Sequence, residues 1–327
     1  MGKKAFGILT ILLILSSFLA ACNSTSTPIL SSMTPNVAAD TPTPLVSQPT
    51  EISPEPANIP EEALDIAYQA FLDNMVLPHA ISTDALLDRL NAESPPFLLD
   101  VRSFSEVVEI GRIHKSVVIP LRDLATKESI GLLPDFDTNI ITYCGTGWRC
   151  TIAMTMLVAL GWHDVQILGG GSLAAWIDAG YPIVMDIPTA EQLNVAQPDP
   201  TMQSWINELL PKLPDGFGSV TPDIVMQAMA EIPDLILIDV RSEDDVIENG
   251  GIENALHIPL ESLIQMKERW PASKEAKILV YSDDGYHSTI AMTILWTYGY
   301  VGIASLKGGF NAWVEAGYPV AQINVSD

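Results

Sequence analysis

The chain has 327 residues, 48% of them apolar, and its 16 Lys and Arg against 40 Asp and Glu leave a net charge of −24. So acidic a chain repels nucleic acid and anionic lipid surfaces, which excludes both as electrostatic partners. Its three cysteines are too few for a disulfide scaffold of the kind that holds small secreted domains together.

Lys3 and Lys4 lead into an apolar run from Ala5 to about Ile14, and small residues follow up to Leu19-Ala20-Ala21-Cys22. That is the layout of a secretory signal, with an apolar core shorter than the about 20 residues of a spanning helix. The Leu-Ala-Ala-Cys ending resembles the bacterial lipobox. The resemblance implies cleavage before Cys22 and a lipid on Cys22, anchoring the protein to a cell membrane outside the cytoplasm, at the cell surface or in the periplasm. Plain secretion with an incidental Cys22 is the alternative. Residues 23–60 are rich in Ser, Thr and Pro. Such a segment buries too little apolar surface to offset its ordering entropy, so it is expected to be a disordered tether.

Beyond the tether the chain repeats itself. Asp100-Val101-Arg102-Ser103 returns as Asp239-Val240-Arg241-Ser242, and Ile119-Pro120-Leu121 as Ile258-Pro259-Leu260. Thr151-Ile152-Ala153-Met154-Thr155 returns as Thr289-Ile290-Ala291-Met292-Thr293, and Ala179-Gly180-Tyr181-Pro182 as Ala316-Gly317-Tyr318-Pro319. Two domains are expected, over residues 61–190 and 200–327.

An amphipathic stretch at 61–74 predicts a helix lying against the first unit, and one at 202–213 a helix against the second. Ser82/Thr83 and Thr221-Pro222 read as helix starts. Short apolar runs at 97–101, 117–119, 139–143 and 164–168 read as strands buried on both faces. Residues 151–160 are apolar nearly all round, as in a buried helix. Trp176 and Trp313 fall inside late helices that stop at Ala-Gly. The alternation predicts an α/β fold in each unit, a central parallel sheet with helices on both faces.

The strand ending at Tyr143 runs directly into Cys144-Gly145-Thr146-Gly147-Trp148-Arg149 and then a helix. A cysteine there faces successive backbone N–H groups and a helix N-terminus, all of which favour an anion. Such settings lower a thiol pKa from about 8.5 to about 3.5–7.5 and produce the nucleophilic thiolate. Gly145 and Gly147 can take positive φ and let the loop close tightly.

In order and spacing, Asp-Val-Arg, Ile-Pro-Leu, the Cys-x-x-Gly-x-Arg loop and the late Gly-Gly…Ala-Trp…Ala-Gly-Tyr-Pro resemble the rhodanese domain, over about 79–184 and again over about 218–321. The resemblance implies a sulfurtransferase. Cys144 would take sulfane sulfur from a small anionic donor such as thiosulfate, hold it as a persulfide, and pass it to cyanide or a thiol. The loop from Gly145 through Thr146, Gly147 and Trp148 would hold the persulfide charge, and Arg149 would orient the donor. Arginine five positions after cysteine matches the sulfur-handling members; related phosphatases and arsenate reductases use a loop one residue longer. No metal site and no cofactor is implied.

Alternatives stand beside these readings. Cys144 could be a buried structural cysteine, and Trp148 either walls the entrance or is merely packed. Arg102 occurs in both units, as does Asp100, which favours scaffold roles, with Glu106 a candidate partner for Arg102. Cys150 is either a small residue without a role or a resolving thiol that traps oxidised or persulfidated Cys144. In the second unit Ser282 replaces the cysteine, His287 the arginine, and Asp283 and Asp284 would repel an anion, so no sulfur transfer is expected there. A Ser282–His287 hydrolase lacks an evident third group. The chain as a whole could instead be a non-enzymatic sulfide or redox sensor, a partner-binding module, or a Cys144/Cys150 thiol redox protein.

Overall fold

The computed structural model describes residues 59–75 and 79–322. The signal, Cys22 and most of the tether read from the sequence lie outside the described residues.

The first unit runs α1 (Glu61–Asp73), β1 (Ala80–Ile81), α2 (Thr83–Leu90), β2 (Phe97–Asp100), α3 (Phe104–Ile110), β3 (Val117–Val118), α4 (Lys127–Ile130), β4 (Ile140–Tyr143), α5 (Trp148–Ala159), β5 (Val165–Leu168) and α6 (Leu173–Asp178). The second runs α7 (Pro200–Leu209), β6 (Ser219–Val220), α8 (Pro222–Glu231), β7 (Ile236–Asp239), α9 (Glu243–Asn249), β8 (Leu256–His257), β9 (Ile278–Tyr281), α10 (Tyr286–Thr297), β10 (Ile303–Leu306) and α11 (Gly309–Glu315). Each unit builds one five-stranded sheet, ordered β1-β5-β4-β2-β3 and β6-β10-β9-β7-β8. Every strand pair is parallel. The expected fold class is therefore found in both units. The edge strands β1 and β6, two residues each, are not among the strands read from the sequence.

Alternate strand residues explain the apolar runs. Leu99, Ile140 and Ile167 face one core, while Leu98, Ile141 and Leu168 face the other with Leu86 and Trp176. A strand covered on both sides must be apolar at every position.

The helices after the two central strands form the centre of the molecule. Every residue of α5 from Cys150 to Ala159 is buried, and so is every residue of α10 from Ser288 to Thr297. The two helices pack against each other, so one continuous core spans both units.

The helices α1 and α7 were expected each to lie on its own unit; both instead bridge the seam. Asp65 of α1 accepts hydrogen bonds from Lys267 Nζ at 2.7 Å and Tyr298 Oη at 2.5 Å. Gln203 and Trp205 of α7 donate to Ala125 O at 3.1 Å and Thr297 O at 2.8 Å, one acceptor in each unit. Helix α1 packs on α5 of the first unit and α7 on α10 of the second.

The Arg102–Glu106 pair suggested by the sequence does not form. Arg102 folds back on Asp100, with Nε 2.9 Å from Oδ1 and Nη2 2.6 Å from Oδ2, and Nη2 also donates to Gly111 O at 2.6 Å. Arg241 repeats this arrangement with Asp239 and Gly250 O. Both pairs are fully buried. A buried carboxylate two residues away, at the strand end, outcompetes a helix residue that has another partner. The scaffold reading of Asp100 and Arg102 fits this geometry.

Candidate functional site

Strand β4 ends at Tyr143, and the chain turns at once into the loop that α5 closes. Of the two glycines free to take positive φ, only Gly147 does so, at +109°. It is the N-cap of α5. Gly145 needs no such freedom, and the second unit carries Asp283 at that place. Gly285, the counterpart of Gly147, sits at +93°.

This turn aims donors at the cysteine. Gly147 N–H donates to Cys144 Sγ at 3.2 Å. Cys144 is 1% exposed. Burial alone would push its thiol up, but hydrogen bonds from the Cys150 thiol and from the backbone N–H groups of Cys150, Thr146 and Gly147 favour the thiolate and bring it down to about 6. Cys150 moves the opposite way. Its own burial and its contact with the Cys144 thiolate push it well above the ordinary thiol value. Its Sγ–H also has Gly147 O as an acceptor at 3.0 Å. Cys150 is thus a thiol that stays protonated, its one S–H within reach of both Gly147 O and the Cys144 thiolate.

Arg149 does not reach out freely. Its Nη1 and Nη2 grip Glu106 Oε2 and Oε1 at 2.6 and 2.5 Å. Glu106 is N3 of α3 and closes a capping box with Ser103. Arg149 and then these cap bonds hold its carboxyl down at about 2. The clamp is therefore intact from neutral pH down to about 2 and fixes the guanidinium beside the loop, where a Cβ on Gly145 would lie 3.8 Å from Nη2. The sequence signal for this role was the Ser-x-x-Glu box directly after Asp-Val-Arg.

Ser172 was not singled out from the sequence. It is fully buried, and its Oγ accepts from Cys144 N–H at 2.9 Å and lies 3.9 Å from Cys150 Sγ. Its backbone is at φ +60°, ψ −129°, a region that side chains other than glycine's rarely occupy. The matching Gly309 is also at +60°, and there a Cβ would lie 2.3 Å from Ser282 O. The first unit has one more residue between β5 and Trp176 than the second has between β10 and Trp313, so a hydroxyl fits against the cysteine only in the first.

In the second unit the same cradle holds oxygen. Gly285 N–H and Ser288 N–H donate to Ser282 Oγ at 3.2 and 3.1 Å, and Ser282 donates to Ser288 Oγ at 3.3 Å. His287 makes no hydrogen bond to Ser282, and its buried Nε2 has no partner among the described residues. No histidine activates this serine.

Both loops face a cavity of about 670 Å³ between the units. Thr146, Gly147, Trp148 and Arg149 form one wall, and Asp284, Gly285 and Tyr286 the opposite one. Cys144 precedes the first wall in the chain by two residues and is itself buried. Trp148 does both things the sequence allowed, lining the cavity and docking its Nε1–H on Phe217 O at 2.9 Å. No group of three or more His, Cys, Asp or Glu comes together to hold a metal among the described residues.

Comparisons with known proteins agree on one family. The sequence model of the rhodanese-like domain matches residues 82–179 and 221–316. A sulfurtransferase of Allochromatium vinosum is 28% identical over 104 residues, 32% of this chain and 94% of that protein. The thiosulfate sulfurtransferase GlpE of Coxiella burnetii is 35% identical over 91 residues, 28% of this chain and 81% of that protein. Among solved structures, a rhodanese-related protein of Thermoplasma volcanium covers 32% of this chain and 98% of its own, at 26% identity and a TM-score of 0.29. SseA of Escherichia coli, from work on 3-mercaptopyruvate sulfotransferases, covers 70% and 98% at 19% identity and a TM-score of 0.35.

Alkylation of Cys144 by iodoacetamide is expected to rise with pH and reach half its plateau near pH 6. In Cys150→Ala, which removes a donor to the thiolate, the midpoint moves toward the ordinary thiol value; an unmoved midpoint contradicts the assignment. At Ser172, alanine keeps the backbone strain and orphans the Cys144 N–H, whereas glycine orphans it but relieves the strain. Losing the hydrogen bond costs about 1–3 kcal/mol, and the strain is of similar size. Urea unfolding is therefore expected to show Ser172→Ala destabilised by that amount and Ser172→Gly close to the parent.

Proposed function

We propose, from the premise that this chain belongs to the rhodanese-like family, that it is a sulfurtransferase whose sulfur carrier is Cys144. The observation that carries the reading is the acidified thiol in its N–H cradle. The Cys144 thiolate attacks the outer sulfur of thiosulfate, the S–S bond of the donor breaks, and sulfite leaves with the electron pair. The Cys144 persulfide that forms is an anion of the same sign as the thiolate, so the Thr146, Gly147 and Cys150 N–H groups serve both states. Arg149, held by Glu106, offers its remaining N–H groups to the donor's oxygens. A thiol or cyanide then removes the outer sulfur. The second unit, with Ser282 in the cradle, carries no sulfur.

The resolving-thiol reading of Cys150 has weaker support. A thiol pushed well above its ordinary value is a poor nucleophile at neutral pH, and its position suits a proton donor to Cys144.

The experiment is intact mass after thiosulfate treatment of the reduced protein. A gain of one sulfur atom is expected in the parent and in Ser282→Ala, and none in Cys144→Ser. A parent without the adduct sinks the proposal. The proposal also places the protein outside the cytoplasm on a lipid borne by Cys22, supported by Lys3, Lys4 and the Leu-Ala-Ala-Cys ending. Detergent-phase partition of the protein expressed in bacteria is expected to be lost in Cys22→Ser. Retention of both variants in the aqueous phase rejects the anchor.

A further inference from the structure

The cavity between the units is larger than thiosulfate and cyanide require. About 670 Å³ falls inside the range of about 300–1,000 Å³ that holds organic ligands. Thiosulfate and cyanide are ions of a few atoms and leave most of it empty.

Its walls are related by the repeat. Thr146 corresponds to Asp284, Gly147 to Gly285, Trp148 to Tyr286 and Thr151 to Thr289, and all eight line the cavity. The departures from this symmetry carry charge. Where the first unit has Thr146 the second has Asp284, and where the first has its run of glycines after β5 the second has Lys307. Both side chains are exposed, and neither enters an ion pair among the described residues. Arg149, the cation of the first unit, is already matched by Glu106. The second unit thus contributes one unpaired anion and one unpaired cation to a cavity whose sulfur chemistry belongs to the first.

The wall is also held in place deliberately. Phe217 has φ +53° and ψ 42°, the left-handed region in which a bulky residue is an outlier. Two side chains of the first unit fix it there. Trp148 donates to its carbonyl, and the Arg122 guanidinium lies 4.9 Å from its ring centre while donating to Leu213 O at 2.8 Å.

We propose that this cavity seats the sulfur acceptor, an organic thiol of amino-acid or short-peptide size that bears a carboxylate and an ammonium group, with Lys307 facing the carboxylate and Asp284 the ammonium. This rests on the sulfurtransferase reading and gives the second unit a role in it, that of selecting the acceptor. In the transfer, the acceptor thiolate bonds to the outer sulfur of the Cys144 persulfide. The S–S bond to Cys144 breaks and its electron pair stays on Cys144 as the thiolate. The acceptor leaves as a persulfide anion, the charge of the outer sulfur going with it, and no external oxidant or reductant is consumed. Asp284 and Lys307 touch neither reacting sulfur and act as specificity residues.

The test separates loading from discharge. The full chain is loaded with thiosulfate, freed of donor, and discharged with four thiols at equal thiolate concentration: L-cysteine, cysteamine without the carboxylate, 3-mercaptopropionate without the ammonium, and neutral 2-mercaptoethanol. L-Cysteine is expected to be fastest. Asp284→Asn slows L-cysteine and cysteamine about fivefold and spares 3-mercaptopropionate, while Lys307→Met slows L-cysteine and 3-mercaptopropionate and spares cysteamine; the factor is that of one partly exposed charge pair. Equal rates for all four thiols, or variants that slow all four alike, overturn the proposal. A chain that takes up no sulfur refutes the sulfurtransferase reading instead. The seat is then read by tryptophan fluorescence with S-methyl-L-cysteine, which binds saturably and less tightly in both variants if the cavity is built for such a zwitterion; no saturable change rejects it.

Discussion

Helix α5 leaves the Cys144 loop with its first turn pointed back at the cysteine, and beyond that turn it has no solvent face. Such a helix cannot stand at the surface of a single sheet. It must be covered on the side away from its sheet, and the matching helix α10 covers it. The position of the thiol, the direction of the N–H groups around it and the cavity in front of it all depend on this contact. A unit without a cysteine is therefore half of the core that makes the cysteine reactive.

Electrostatics divide along the same line. Two buried aspartate–arginine pairs, one per unit, sit at equivalent strand ends and have nothing to do with sulfur. They tie the strand end to the loop after the next helix in both units. The Glu106–Arg149 clamp occurs only beside the cysteine. It leaves the arginine charged and oriented, and it cancels much of the field that would otherwise draw any anion into the cavity. Net attraction for the donor then comes from directed N–H groups more than from bulk charge, which suits a chain as acidic as this one.

Much of the fold was legible because parallel strands buried on both faces are apolar at every position, and because the pattern occurs twice. The Cys144 loop was legible because a cysteine between a strand and a helix, spaced from an arginine, constrains its own surroundings. Glycine at both loop positions permits positive φ, and only the structure shows that Gly147, at the cap, uses it. Glu106 and Ser172 were missed as partners of the site for a different reason. Each acts through a contact between elements far apart in the chain that has no fixed spacing in sequence, and Arg102 found the nearer carboxylate of Asp100. The bridging of the seam by α1 and α7 was equally hidden, because amphipathic periodicity says that a face is buried but not against what.

The single core shared through α5 and α10 has a consequence for how the molecule comes apart. Repeats joined by a linker melt one after the other, and each keeps its own transition. Here the apolar residues of both sheets meet in one cluster, so loss of either sheet uncovers the helix of the other. The two halves then behave as one cooperative unit in unfolding, and damage anywhere in the cysteine-less half is felt as a loss of order at Cys144.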